Sequence, residues 1–210
     1  VIVKQNQKTG KYFRLPLDVD VYEGPSKKRY TVWAGQAVDS FSFPYAKRPD
    51  LVNVDGDKIL LWSKKDNKTL DNYFHQYKYA GNYTDRKEAI EFAAGRQSEP
   101  KAAQLLITAL NDPYKGLREL AISKLDIKKE GIRNGAEEKL LQMARNDKYS
   151  MVRAAAIGKL GEYQKKEYAG LFKDAVNDSS WTVAGNALSA LMKVEAESAS
   201  ALVKTLSKEP

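Results

Sequence analysis

The chain has 210 residues, room for two domains, with no cysteine and a single histidine, so disulfides, thiolate metal sites and a His-Glu-x-x-His zinc motif are excluded within it. Its 42% hydrophobic content is ordinary for a globular protein, and no apolar run reaches membrane-spanning length. The formal charge of +8 suggests a nucleic-acid partner, but it is spread: residues 1–68 carry 13 basic and 8 acidic side chains, and residues 69–210 carry 22 and 19. Acidic Glu88, Glu119, Glu137 and Glu138 interleave with the basic residues of the second part, which predicts a solvated mixed surface and no nucleic-acid binding. A cysteine-free chain suits oxidising and reducing surroundings alike, so periplasmic, secreted and cytoplasmic locations are all compatible with it. Val1 stands where a Met would open a gene and no signal-like leader follows, so the chain reads as a piece of a larger protein.

The first elements alternate with period two. A short apolar run at 1–3 is ended by the turn-like NQKTGK. Phe13, Leu15, Leu17, Val19 and Val21 then fall on one face, with Arg14, Asp18, Asp20 and Tyr22 opposite, the pattern of a strand packed on one side with its aspartates in solvent. Further alternation at 29–38 and 41–43 predicts more strands, and a last one is expected at 59–62 after a tight turn at Asp55, Gly56 and Asp57. Four or five strands make a partial, immunoglobulin-like antiparallel β-sandwich over residues 1–68. Such sandwiches usually have about seven, so the first strands are expected upstream of Val1.

Polar residues 64–68 mark a seam and lead into an aromatic-rich helix, where Tyr73, Phe74 and Tyr77 read as core contacts rather than a ligand pocket. His75 has no second histidine to share a metal. From 69 to 210 the pattern is helical and repetitive. NDPYKGLRELAISKL, NDKYSMVRAAAIGKL and NDSSWTVAGNALSAL align without gaps: Asp112, Asp147 and Asp178; Leu117, Val152 and Val183; Ala121, Ala156 and Ala187; Leu125, Leu160 and Leu191. Arg118 and Arg153 share a column in which the third copy has Ala184. The preceding helix repeats too, through Leu105 with Leu106, Leu140 with Leu141, and Leu171 with Phe172. Self-similarity at this period means stacked helical hairpins, each needing a neighbour to bury its apolar stripe. A weaker copy, TDRKEAIEFA, opens the array, SASALVKTL closes it, and Ala184 marks where the stack is ending.

The Asp-to-Arg step followed by Val-Arg-x-x-Ala-x-x-x-Leu resembles the HEAT repeat family. Asp112, Arg118, Asp147 and Arg153 are read as structural ion pairs: each Asp accepts free amides at a helix start and each Arg reaches a neighbouring repeat's Asp. No catalytic, cofactor or metal residue is assigned. There is no Walker loop, Gly-x-Gly-x-x-Gly or Gly-x-Ser-x-Gly elbow, and the carboxylate pair Asp18 and Asp20 is expected to be solvated.

The order of parts also resembles the C-terminal region of aminopeptidase N-type zinc metallopeptidases, or gluzincins: Gln5 or Gln7 before Phe13-Arg14-Leu15-Pro16-Leu17, then Val54-Asp55-Gly56-Asp57-Lys58-Ile59-Leu60-Leu61, then Asp85, Arg86 and Ala89. The resemblance implies a parent hydrolase that removes N-terminal residues from peptides with one zinc ion held upstream. This region would hold no zinc; it would contact the upstream catalytic domain of the same chain and enclose the peptide substrate's cavity. The alternative is a HEAT-like protein-binding scaffold with an accessory β-domain and no enzymatic role.

Overall fold

The structure, a computed structural model, describes residues 1–7 and 10–206, so Lys8 and Thr9 of the NQKTGK turn lie outside the described residues. Five strands come first: β1 (Ile2–Lys4), β2 (Leu15–Glu23), β3 (Ser26–Ala34), β4 (Val38–Ser40) and β5 (Leu51–Val54). Helices follow: α1 (Leu70–Tyr79), α2 (Tyr83–Ala94), α3 (Pro100–Ala109), α4 (Lys115–Lys124), α5 (Glu130–Asn146), α6 (Ser150–Glu162), α7 (Ala169–Ala175) behind a 3-10 turn at Lys166–Tyr168, α8 (Trp181–Val194) and α9 (Ala196–Leu206). The chain is thus antiparallel β, then α. Two compact units, Val1–Ala89 and Ile90–Pro210, divide it. The boundary lies beyond the 68/69 seam read from the sequence, because α1 is tied to the strands: Asn72 donates its side-chain amide to the Asp50 carbonyl at 2.7 Å, and Lys68 links Asn53 of β5 to Gln76 of α1.

In the first unit β2 is the central strand of a β3-β2-β5 sheet, and β1 pairs with β4 in a second sheet. β2 and β3 form a hairpin closed by two residues, in which Gly24 takes a φ of +57° that most side chains avoid. β1 runs antiparallel to β4, with Val3 opposite Asp39. Two sequence expectations change here. The strand expected at 59–62 is absent and the strand beside β2 is β5, before the turn. Asp55 and Lys58 both take positive φ, and the Asp55 carboxylate accepts the amides of Ile59 and Leu60, which turns that backbone away from any ladder and leaves Ile59 and Leu61 exposed.

The second change concerns the face of β2 that carries Asp18, Asp20 and Tyr22. Cross-strand neighbours share a face, so Asp20 stands between Arg29 of β3 and Asn53 of β5. Instead of lying in solvent, Asp20 and Tyr22 are buried, as are Leu17, Val19 and Val21 on the opposite face. Alternation identifies two faces of a strand; it does not say that only one is covered.

In the second unit three hairpins, α3–α4, α5–α6 and α7–α8, repeat one packing scheme. Leu117, Val152 and Val183, then Ala121, Ala156 and Ala187, then Leu160 and Leu191 are all inaccessible to solvent, and Leu125 nearly so. Small residues let the second helices approach closely. A Cβ at Gly161 of α6 would stand 2.8 Å from the Ala190 Cβ and 3.1 Å from its Cα on α8, whereas one at Gly185 of α8 would meet nothing within 4 Å. Gly161→Ala therefore pushes α8 away and should cost about 1–3 kcal/mol. Gly185→Ala removes a helix-interior glycine at no steric cost and should add about 0.5–1 kcal/mol. Urea unfolding of both variants beside the parent measures this, and equal midpoints would show that the α6–α8 contact is looser than described.

Candidate functional site

The constellation repeated through the helical unit sits at the turns entering α4, α6 and α8. Each second helix begins without a side-chain cap from its N-cap residue, Tyr114, Tyr149 or Ser180. The Asp two residues earlier takes over, accepting the N-cap amide: Tyr114 on Asp112 at 2.8 Å, Tyr149 on Asp147 at 3.0 Å and Ser180 on Asp178 at 2.9 Å. The Arg six residues after the first two of these aspartates lies one turn inside the helix, and its guanidinium divides its donors. Arg118 gives Nη1 to the carbonyl of its own turn's Asp112 at 2.9 Å and grips the next turn's Asp147 with Nε and Nη2, both at 2.9 Å. Arg153 repeats this on the Asp147 carbonyl, at 3.0 Å, and on the Asp178 carboxylate, at 3.0 and 2.9 Å. The chain of contacts from Arg118 through Asp147, and from Arg153 to Asp178, ends there because Ala184 has nothing to pass on.

Both pairs are bidentate and largely shielded, Arg118 and Asp147 at 10% side-chain exposure and Arg153 and Asp178 at 18%. The Arg153 guanidinium holds the Asp178 carboxyl below the usual carboxylate range; burial opposes this and the Ser180 amide assists it. With both carboxylate oxygens engaged, the site has neither a free base nor a nucleophile to offer. Its chemistry is mutual satisfaction between neighbouring repeats.

The sequence reading missed a second set of charged residues, inside the sheet unit. Asp20 is bound by Arg29 Nε at 2.6 Å and by Lys27 at 2.8 Å, and Arg29 also reaches Asp57 at 2.8 Å. Burial pushes the Asp20 carboxyl up, yet the Arg29 and Lys27 bonds outweigh it and keep the group below its ordinary value. Nearby, buried Asp85 takes Lys58 at 2.7 Å and the Asn53 side chain at 3.0 Å on one oxygen, leaving its other oxygen without a hydrogen-bond partner. Gln76 donates to the Asp85 carbonyl and to Glu88, while Asp66 bridges Lys64 and Lys68, 2.7 Å from each. Burial first, then the charge of Lys64, lowers the Lys68 ammonium; burial also acts on Asp66, but Lys68 and Lys64 hold that carboxyl down. No sequence motif announces these groups, since they come from β2, β3, β5, the turn and irregular segment that follow it, and two helices.

His75 packs against the rings of Tyr22, at 5.8 Å, and Tyr79, at 4.6 Å, and Tyr73 is buried below Lys68. Among the described residues no three metal-ligating side chains converge.

A family model described as HEAT repeats matches residues 137–210, from within α5 to the end of the chain. The helical unit is an array of HEAT-like repeats. Comparison with curated proteins finds no match. The matched span holds the Arg153–Asp178 pair and the α5–α6 and α7–α8 hairpins; the α3–α4 hairpin, with Arg118, lies before it and follows the same geometry.

Removing Arg118 strands Asp147 and two turn carbonyls, and removing Arg153 strands the somewhat more accessible Asp178. Arg118→Ala should cost about 3 kcal/mol and Arg153→Ala about 2 kcal/mol, between the values for fully buried and exposed pairs, with Lys124→Ala as an exposed control below about 0.5 kcal/mol. Three equal, small effects in urea would show that the arginines are merely solvated. The Arg153 contribution also carries a pH signature. A depressed carboxyl stabilises the fold above its unfolded value, about 3.9, and loses that contribution as pH falls through the folded value. The stability gap between parent and Arg153→Ala should be constant from neutral pH down to the unfolded value and close below it; a gap that persists in full acid would assign the Arg153 effect to packing alone.

Proposed function

We propose that the chain is a non-catalytic scaffold: the HEAT-like array supplies a rigid surface for protein contact, and the sheet unit is its accessory. The observation that carries this is the pair of inter-repeat clamps. The charged side chains that the array repeats are bound to one another, so their role is to set the spacing and rotation of the hairpins, and stacked hairpins of this type build extended binding surfaces.

A finer reading places this scaffold in an aminopeptidase N-type zinc metallopeptidase, packed against an upstream catalytic domain and enclosing a peptide-binding cavity. It is supported by the order of motifs, from the Phe13-to-Leu17 segment through the Asp55 turn to Asp85, Arg86 and Ala89. Its decisive test is the native sequence ahead of Val1: His-Glu-x-x-His with a glutamate about a score of residues later sustains it, and a start codon at Val1 removes it.

Either way, these residues should hold no stoichiometric zinc and hydrolyse no aminoacyl reporter substrate, with or without added zinc. Metal analysis after chelator washing, run with a reporter assay on repurified protein, checks the point. One zinc per chain with turnover that follows the protein peak would overturn the scaffold reading.

A further inference from the structure

The turns that bind one another through their inner side chains also share an outer surface. Trp181, the first residue of α8, is 92% exposed; Met151, the second residue of α6, is 50% exposed; and Tyr114, before α4, is 49% exposed. Three successive repeats therefore each place one large apolar side chain in water at the entry of the second helix, at the N-cap in the first, the second helical residue in the next and the first helical residue in the third. Such repetition is costly in an isolated soluble domain, where burying one such side chain contributes about 1.5–3 kcal/mol. The surface is continuous between the first two turns, because the Lys115 ammonium lies 4.8 Å from the centre of the Tyr149 ring, and Lys148 lies 5.0 Å from it. The Arg153–Asp178 pair joins the second turn to the third.

The charge of this rim is one-sided. Within the turn segments 111–116, 146–151 and 177–182 the exposed charged residues are Lys115 and Lys148. The aspartates there are turned inward: Asp147 and Asp178 are gripped by arginine, and Asp112 is buried. The helices that start here, α4, α6 and α8, have no acidic residue in their first turns, so the positive ends of their dipoles add to the lysines rather than being offset.

Extending the scaffold reading above, we infer that this rim binds an extended acidic segment of a partner protein bearing an apolar residue at every third position. The acidic side chains meet Lys115 and Lys148, and the apolar ones lie on Tyr114, Met151 and Trp181. The period comes from geometry. Neighbouring packed helices stand about 8–10 Å apart, and an extended chain in the polyproline II conformation advances about 3.1 Å per residue with three residues per turn, so every third side chain faces the rim and about three residues carry the chain from one repeat to the next. Trp and Tyr are the side chains that most often carry binding energy at such contacts, and an acidic partner draws selectivity and association rate from the lysines.

The test uses the whole chain and a fluorescein-labelled peptide of four Glu-Glu-Leu triplets, read by anisotropy. Saturable binding that weakens as salt rises is expected, with a loss of about ten-fold or more in Trp181→Ala and again in the double variant Lys115→Glu, Lys148→Glu, while Trp181→Phe retains most of the affinity. A peptide of four Lys-Lys-Leu triplets should not bind. All these positions are exposed, and unchanged thermal unfolding establishes that each variant is folded. Absence of binding, or binding that the rim variants leave unchanged, overturns the rim assignment and leaves the scaffold reading standing. An oligothymidylate that binds in place of the acidic peptide, and is lost in the same variants, overturns it in favour of a nucleic-acid surface. Zinc-dependent turnover, in contrast, would strike the scaffold reading itself.

Discussion

A helix that starts inside a protein leaves its first amides without partners, and a stack of hairpins repeats that deficit at every turn. In this array the aspartate ahead of each second helix accepts one such amide, and one guanidinium ties two of these turns together. Arg118 closes the turn that precedes its own helix by bonding the Asp112 carbonyl, and it fixes the distance to the next turn by gripping Asp147. Asp147 is then held from three directions, by the Tyr149 amide, by Arg118 and, through its backbone carbonyl, by Arg153. The six-residue step is what makes this possible, because an Arg one turn into the helix reaches back to its own turn with one nitrogen and outward with two. Local turn geometry and long-range stacking thereby depend on the same side chain, so they form and fail together.

That coupling explains why the outer side of the turns is free to differ. The inner atoms satisfy one another, so the residue at each N-cap need not be a good capping residue, and two of the three are tyrosines. A tyrosine there contributes little to capping but offers a ring to solvent. At Tyr114 the rim's apolar character is thus compatible with a stable array because Asp112, two residues earlier, has taken over the capping role.

The sheet unit solves a different problem. Lys58, Lys64 and Lys68 converge with Asp66, Asp85 and Glu88 where β5, α1 and the start of α2 meet, three charges of each sign. Taking these groups from water is expensive, and only mutual pairing makes it tolerable. The arrangement is specific rather than strongly stabilising: a sheet and a helix pressed together by apolar contacts can slide, whereas Asn53, Gln76 and Asp85 bond in one register only.

How much of this was legible in the sequence follows from the range of each interaction. The repeats were readable because seven aligned columns restate one local rule, and burial at Ala121, Ala156 and Ala187 needs only a neighbour built like oneself. Asp20 was not, because period-two alternation assigns a side chain to a face and is silent on what covers that face; the cover comes from Lys27 and Arg29 of the paired strand and from the turn at Gly56. The apolar stretch at 59–62 looked like a strand for a related reason. Its composition is strand-like, but Asp55, a few residues earlier, captures the amides that a ladder would need, and a capture by one carboxylate leaves no periodic trace. Repetition makes non-local structure visible in a single sequence; where the chain meets a segment unlike itself, the partners must be seen in space.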